Sequence, residues 1–126
     1  MKYLLLIYME EKAINESERQ ACYKESTAYC AQLAAKGKFI SANPLQSVST
    51  ATSVRMRESK RLVTDGPFAE TREALGGYFL VDATDLDEAI AIASGIPAAK
   101  WGTVEVRPIV EIPGLPASPA LAGAHA

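Results

Sequence analysis

The sequence predicts an α+β ferredoxin-like sandwich, in which an antiparallel sheet carries two helices on one face. Three observations lead to this fold class. The chain begins with a β-prone apolar segment, two later segments have the period of a helix, and Glu58-Ser59 joins two short strands as a tight turn. The predicted order is therefore strand, helix, strand, β-hairpin, strand, helix, strand.

The first strand lies in the segment KYLLLIY, near the start of the chain. Its apolar side chains alternate onto two faces, in two sets: Tyr3, Leu5 and Ile7; and Leu4, Leu6 and Tyr8. The apolar run ends before Glu10, so it is too short for an export signal or a membrane span. Apolar residues on both faces indicate a sheet covered on both sides. The helices cover one face, so something else must cover the second.

The first helix is predicted between a capping box at Ser17 to Gln20 and a C′ glycine at Gly37. Its apolar stripe is expected to be Ala21, Cys22, Ala28, Tyr29 and Leu33. Cys22 and Cys30 would lie ~12 Å apart along the axis, at ~1.5 Å per residue, so they cannot form a disulfide with each other. Unpaired thiols favour a reduced compartment, and we expect a cytoplasmic protein without a metal site.

The second helix begins at Asp85, with acidic residues in its first turn, and ends at Gly95. Its buried stripe is predicted to be Leu86, Ala89, Ile90 and Ala93. The remaining strands are predicted as Lys38–Leu45, Thr52–Arg57, Lys60–Thr64, Tyr78–Ala83 and Thr103–Ile109. The hairpin bears clustered positive charge at Arg55, Arg57, Lys60 and Arg61. It is either a solvated ribbon that resists aggregation or a rim that attracts anions.

Length and charge restrict the classes of function. The chain has 126 residues, which suits one domain, and we expect that domain to span residues 1–112. Residues 113–126 are rich in Pro and Ala, without periodicity, and are predicted to form a flexible tail. A net charge of −2 supplies no basic excess for phosphate contacts, so direct nucleic-acid binding is disfavoured.

A polar segment, DGPFAETREALGGY, follows the hairpin at residues 65–78. With the last strand it gives a set of candidate site residues: Asp65, Glu70, Arg72, Glu73, Tyr78, Glu105 and Arg107. Asp65 is the candidate catalytic group, as a carboxyl whose pKa neighbouring acids would raise, and Arg107 could clamp a ligand carboxylate. Alternatively, Asp65 caps the turn and Arg107 pairs structurally with Glu105 or Glu73. The paired glycines Gly76 and Gly77 are best explained by close backbone packing.

The segment DGPFAETREALGGYFLVDA resembles the signature of the DGPF, or YCII-related, family, with Arg72 where lysine is commoner. KYLLLIY, DLDEAIAIA and GTVEVRPI agree with the family in the same order. The resemblance implies the dimeric α/β-barrel superfamily, in which two sheets meet face to face. It therefore implies a homodimer, with the second subunit covering the face of Leu4, Leu6 and Tyr8.

The resemblance also implies two classes of function. Related proteins have been proposed to use a histidine with an aspartate; Asp65 matches that aspartate, whereas the single histidine here is His125, in the tail. The first function is a site for a small polar or anionic molecule, in a cleft at the DGPF loop, with no organic cofactor. The alternative is a non-catalytic regulatory module that associates with a protein partner, such as an extracytoplasmic-function sigma factor.

Overall fold

Two antiparallel sheets and two helices make up residues 1–116, which the computed structural model describes. The elements are β1 (Lys2–Met9), α1 (Glu16–Ala35), β2 (Phe39–Pro44), β3 (Thr52–Arg57), β4 (Lys60–Asp65), β5 (Ala74–Asp82), α2 (Leu86–Ser94) and β6 (Thr103–Pro108). Single 3-10 turns lie at Glu11–Ala13, Val48–Thr50 and Pro97–Lys100. The predicted order of elements is confirmed. Within residues 1–116, neither helix combines the length and the apolar character needed to cross a bilayer.

The main sheet has the strand order β2-β5-β1-β6. β1 is central and pairs antiparallel with β5 and β6, so that Leu5 lies opposite both Phe79 and Val106. β5 begins at Ala74, four residues before the predicted Tyr78. The prediction was too short because glycines weaken a strand signal, although the backbone of Gly77 pairs with both neighbouring strands.

The core lies between this sheet and both helices. Leu5 and Val81 are fully buried and contact residues from both helices in one cluster. The buried members are Tyr3, Leu5, Leu33, Phe79, Val81, Ala83, Ala89, Ile92, Ala93, Ile96 and Ala98. The α+β sandwich with two helices on one face is therefore confirmed.

The cap of α1 is Asn15, two residues before the predicted cap at Ser17. The Asn15 side chain accepts a hydrogen bond from the Glu18 amide at 2.8 Å, and the Glu18 carboxylate accepts one from the Asn15 amide at 3.0 Å. Asn15 is therefore the N-cap, Ser17 lies inside the first turn, and the predicted box from Ser17 to Gln20 is wrong. The Gln20 side chain donates instead to the Glu16 carboxylate at 2.8 Å. Gly37 follows the helix with φ +72°, as a C′ glycine should.

Both predicted helix stripes are partly wrong. On α1, Ala21 and Ala28 are exposed. The inward side chains there are Cys22, Ser26, Tyr29, Cys30 and Leu33. On α2, Leu86 and Ile90 are about half exposed, whereas Ile92 is buried. The small side chains Ala89 and Ala93 let α2 approach the sheet closely, which turns Ile92 inward and the larger residues outward.

The second face of the sheet has a half-buried apolar centre. Leu4 lies opposite Leu80, and Leu6 lies opposite Tyr78, with all four side chains on the face away from the helices. Arg107 continues this face on β6, opposite Leu4. We call Leu4, Leu6 and Leu80 the open-face cluster.

The hairpin of β3 and β4 forms a separate two-stranded sheet. Glu58 and Ser59 have φ values of +51° and +63°, which confirms the predicted two-residue turn and gives it the I′ hand. At its base, the Gly66 amide donates to the Ala51 carbonyl at 2.7 Å, and the Ser53 hydroxyl donates to the Gly66 carbonyl at 2.8 Å. Most hairpin residues are exposed.

Candidate ligand cavity

A cavity of about 590 Å³ lies between α1 and the main sheet, beside the end of β2 and the start of β5. Its apolar wall comes from both the sheet and the helical side, namely Ile7, Met9, Ile14, Ala42, Phe79 and Ala98. Polar side chains from α1 and from the residues after β2 complete it. Such a volume falls within the range of small-molecule sites, about 300–1,000 Å³.

The paired glycines form part of the cavity wall. A Cβ added to Gly77 would lie 2.9 Å from the Asn43 carbonyl oxygen and 3.1 Å from the Pro44 Cα. Gly77 therefore allows β2 to approach β5 closely, which confirms close backbone packing for this residue. Gly76 differs, because its nearest neighbour, the Ile7 carbonyl oxygen, would be 3.9 Å from an added Cβ.

A polar junction at Glu11 fixes one end of the cavity. The Glu11 carboxylate accepts hydrogen bonds from the Ser47 hydroxyl at 3.1 Å and from the Val48 amide at 3.2 Å. The Arg19 guanidinium donates to the Glu11 carbonyl oxygen at 3.0 Å and lies 3.6 Å from the Glu16 carboxylate. These bonds join α1 to the connection after β2, so the cavity opening has a defined shape.

Tyr78 is the one residue of the predicted site set that lines this cavity. Asn43 Nδ2 donates a hydrogen bond to the Tyr78 phenol oxygen at 2.9 Å. The pKa of Tyr78 lies below its ordinary value because hydrogen bonds from the Ser41 and Asn43 side chains stabilise the phenolate. Because Tyr78 lies opposite Leu6 and Asn43, its phenol is on the face of the sheet away from the helices, and the residue borders the cavity by its position in β5. Ligand contact by the phenol stays a prediction.

Two thiols also line the cavity. Burial raises the pKa of both Cys22 and Cys30, so each is a neutral thiol at pH 7 and a weak nucleophile. Both are free, as predicted. Among residues 1–116, no three His, Cys, Asp or Glu side chains are grouped as metal ligands.

The structure places the charged residues of the DGPF segment outside the cavity lining. Asp65 ends β4, opposite Thr52, and is exposed, as is Glu70 in the following loop. Arg72 forms an ion pair with Glu10, whose hydrogen bond and charge raise the pKa of the guanidinium. A catalytic role for Asp65 and ligand contacts by Glu70 and Arg72 stay predictions.

The other predicted residues are dispersed. The Glu73 carboxylate accepts a hydrogen bond from Thr103 at 3.0 Å, so the start of β6 does lie beside the DGPF loop. Arg107 is at the far end of β6, on the open face. The Tyr8 hydroxyl donates to Glu105 at 3.4 Å. Ligand binding by Glu73 and Arg107 stays a prediction, and His125 lies outside the described residues.

Sequence reasoning missed Glu11, Arg19 and Asn43, which shape the cavity. The available signal was the stop of β2 at Asn43-Pro44 next to a glycine pair, which marks a close strand approach with a polar side chain beside it. Nothing local in the sequence places Glu11 or Arg19 at the same opening.

Residues 1–113 match the family model of the YCII-related domain. The chain belongs to the YCII-related family. One relative is "Uncharacterized protein R00369" of Rhizobium meliloti (strain 1021), which is 32% identical over 114 residues. The match covers 86% of this chain and 92% of the relative.

A solved structure shares the fold of this YCII-related chain. It is 5-chloro-2-hydroxyhydroquinone dehydrochlorinase from Burkholderia phenoliruptrix AC1100, in complex with 2,5-dihydroxybenzoquinone. The TM-score is 0.55 with 16% sequence identity, over 87% of this chain and 94% of that one. At this identity the likeness shows the fold alone, which is that of the dimeric α/β barrels.

Proposed function

We propose that this YCII-related protein binds a small organic molecule, about the size of one substituted ring, in the cavity beneath α1. The observation that carries the proposal is the cavity itself, about 590 Å³ with a mainly apolar wall and a few fixed polar groups. The dehydrochlorinase of the same fold binds a single-ring dihydroxybenzoquinone, which supports a ligand of this size.

Arg19 and the other polar side chains of α1 are the groups that we propose to orient the ligand, since they line the cavity on the helical side. The Tyr78 phenol lies on the face of the sheet away from the helices, held by Asn43 at 2.9 Å, so we do not propose that it acts on this ligand.

The charged groups in the wall narrow the ligand class. Glu11 and Glu16 line the cavity together with Arg19, and the guanidinium already contacts both residues. Two carboxylates beside one guanidinium disfavour a strongly anionic molecule. We therefore propose a neutral hydroxylated ring, rather than the anionic metabolite considered from the sequence.

We also propose that the protein is a homodimer with two-fold symmetry, in which the open-face clusters meet. In a single chain the side chains of Leu4, Leu6 and Leu80 are only half-buried. Apolar side chains at the centre of a sheet face are usually covered by another element or by a second subunit. A cytoplasmic location stays a prediction. The relatives reported above give no support to association with a sigma factor.

The experiment is a thermal-shift screen against hydroxylated benzenes and hydroquinones. A ligand at 100 times its dissociation constant adds about 2.7 kcal/mol to the free energy of unfolding. Ala42→Leu should reduce the shift, because Ala42 lines the cavity and the larger leucine side chain would occupy part of its volume. Tyr78→Phe should leave the shift unchanged, because the phenol lies on the face of the sheet away from the helices.

Asp65→Asn is the matched control, since Asp65 is exposed and outside the cavity lining. It should leave the shift unchanged. A hit that is lost in Asp65→Asn but kept in Ala42→Leu would move the site to the DGPF loop. No hit in any single-ring compound would contradict the proposed ligand class.

A further inference from the structure

The β3–β4 hairpin is an amphipathic ribbon with an uncovered apolar face. Val54 lies opposite Val63, and Met56 follows on the same face; they are exposed by 60%, 56% and 58%. We call these three residues the hairpin apolar face. Arg61, opposite Met56, ends this face, and the other face carries Arg55, Arg57 and Lys60 together with Leu62.

This ribbon is poorly supported by its own chain. An isolated two-stranded hairpin is at best marginally stable in water. Its hydrogen bonds to neighbouring segments lie at the base, where Gly66 bonds to Ala51 and Ser53. A ribbon that exposes three large apolar side chains at cross-strand positions is typical of a surface that another molecule covers.

Charge favours a particular cover. Residues 52–65 contain four basic and two acidic residues and have a net charge of +2. Since the whole chain has a net charge of −2, the remaining residues together carry −4. A basic arm is thus attached to an acidic body. A second copy of the chain supplies such a body and is present in equal amount.

We propose that the hairpin apolar face packs on the second subunit of the dimer, so that each chain extends one arm onto its partner. This rests on the homodimer proposed above. Two-fold symmetry makes the contact reciprocal, with two equivalent arm contacts per dimer in addition to the sheet contact. Arg61, which shares the face of Met56, then lies against the acidic body of the partner. Arg55, Arg57 and Lys60 lie on the outward face.

Sedimentation equilibrium of the full chain over a range of concentrations tests the arm contact. Val63→Lys should raise the dimer dissociation constant at least tenfold, because it places a charge in an apolar contact. Thr64→Lys is the matched control, because it adds the same charge one residue along, on the opposite face of β4. It should change the dissociation constant less than threefold. Both variants lie outside the core, and circular dichroism checks that they fold.

Hydrogen exchange gives an independent measurement. The amides of β3 and β4 should exchange at least tenfold more slowly above the dimer dissociation constant than below it. A dimer whose hairpin amides exchange equally fast in both states, and whose dissociation constant is unaffected by Val63→Lys, overturns the arm contact but keeps the homodimer. A protein that is monomeric at every concentration overturns both proposals.

Discussion

Replacement of Gly77 by alanine tests how the cavity wall is built. The added Cβ would lie 2.9 Å from the Asn43 carbonyl oxygen and 3.1 Å from the Pro44 Cα. Both neighbours are backbone atoms of β2, which cannot rotate away as a side chain can. The strand must therefore shift, or the pairing of β2 with β5 must loosen.

The expected cost follows from this geometry. Overpacking by one methyl group against immobile neighbours costs about 1–3 kcal/mol. Gly76→Ala is the matched control, because it lies in the same strand and its added Cβ meets nothing closer than the Ile7 carbonyl oxygen at 3.9 Å. Neither glycine has a positive φ that would penalise alanine. Gly76→Ala should be neutral or stabilise by up to ~1 kcal/mol, through reduced freedom of the unfolded chain.

Urea unfolding of the two variants and the original protein measures the difference. Gly77→Ala should lower the free energy of unfolding by about 1–3 kcal/mol, with a melting temperature lower by roughly 3–5 °C for each kcal/mol. It should also weaken the binding of any ligand in the cavity, because β2 borders the cavity. Equal stability of the two alanine variants would refute the claim that close approach of β2 requires Gly77.

Two further substitutions test contacts of the helices. Tyr29→Phe removes a hydrogen bond of 2.6 Å to the Ile92 carbonyl; because the Gly95 amide still donates to that carbonyl, calorimetry should show a loss of only about 1 kcal/mol. Glu88→Gln removes the ion pair with Lys38, which lowers the pKa of Glu88. Because the folded-state pKa is depressed, the pair stabilises above the ordinary pKa of 4.5 and is lost as pH falls through the depressed value. Urea unfolding should therefore show a deficit at pH 7 that shrinks as the pH falls below 4.5; a deficit independent of pH would contradict the ion pair.

Local patterns accounted for most of the fold. The alternation in β1, the hairpin turn at Glu58-Ser59 and the glycine after α1 each depend on a few neighbouring residues, and each is confirmed. The cap of α1 was less certain for a physical reason. Asn15 and Ser17 are both good cap residues, and each is followed three residues later by a side chain that can complete a capping box, Glu18 or Gln20. In the structure Glu18 bonds Asn15.

The cavity could not be located from local patterns. It depends on the distance between α1 and the strands, which is set by contacts across the chain, such as Arg19 to Glu11 and Gly77 to Asn43. The charged residues of the DGPF segment are dense in the sequence and predicted a site there. In the structure none of these charged residues lines the cavity, whereas the later part of the segment does, at Ala74, Gly76, Gly77 and Tyr78.

The central position of β1 has a consequence for folding. Both of its partners, β5 and β6, follow it in the chain by a long interval, and residues 10–73 separate β1 from β5. At ~5–20 residues per second, ribosomal synthesis leaves this apolar strand without a partner for about 3–13 s. Such non-local pairing folds slowly and exposes an aggregation-prone segment. A nascent chain that stops before Thr103 would still have one open edge on β1, so the last strand also protects the first from pairing with other chains.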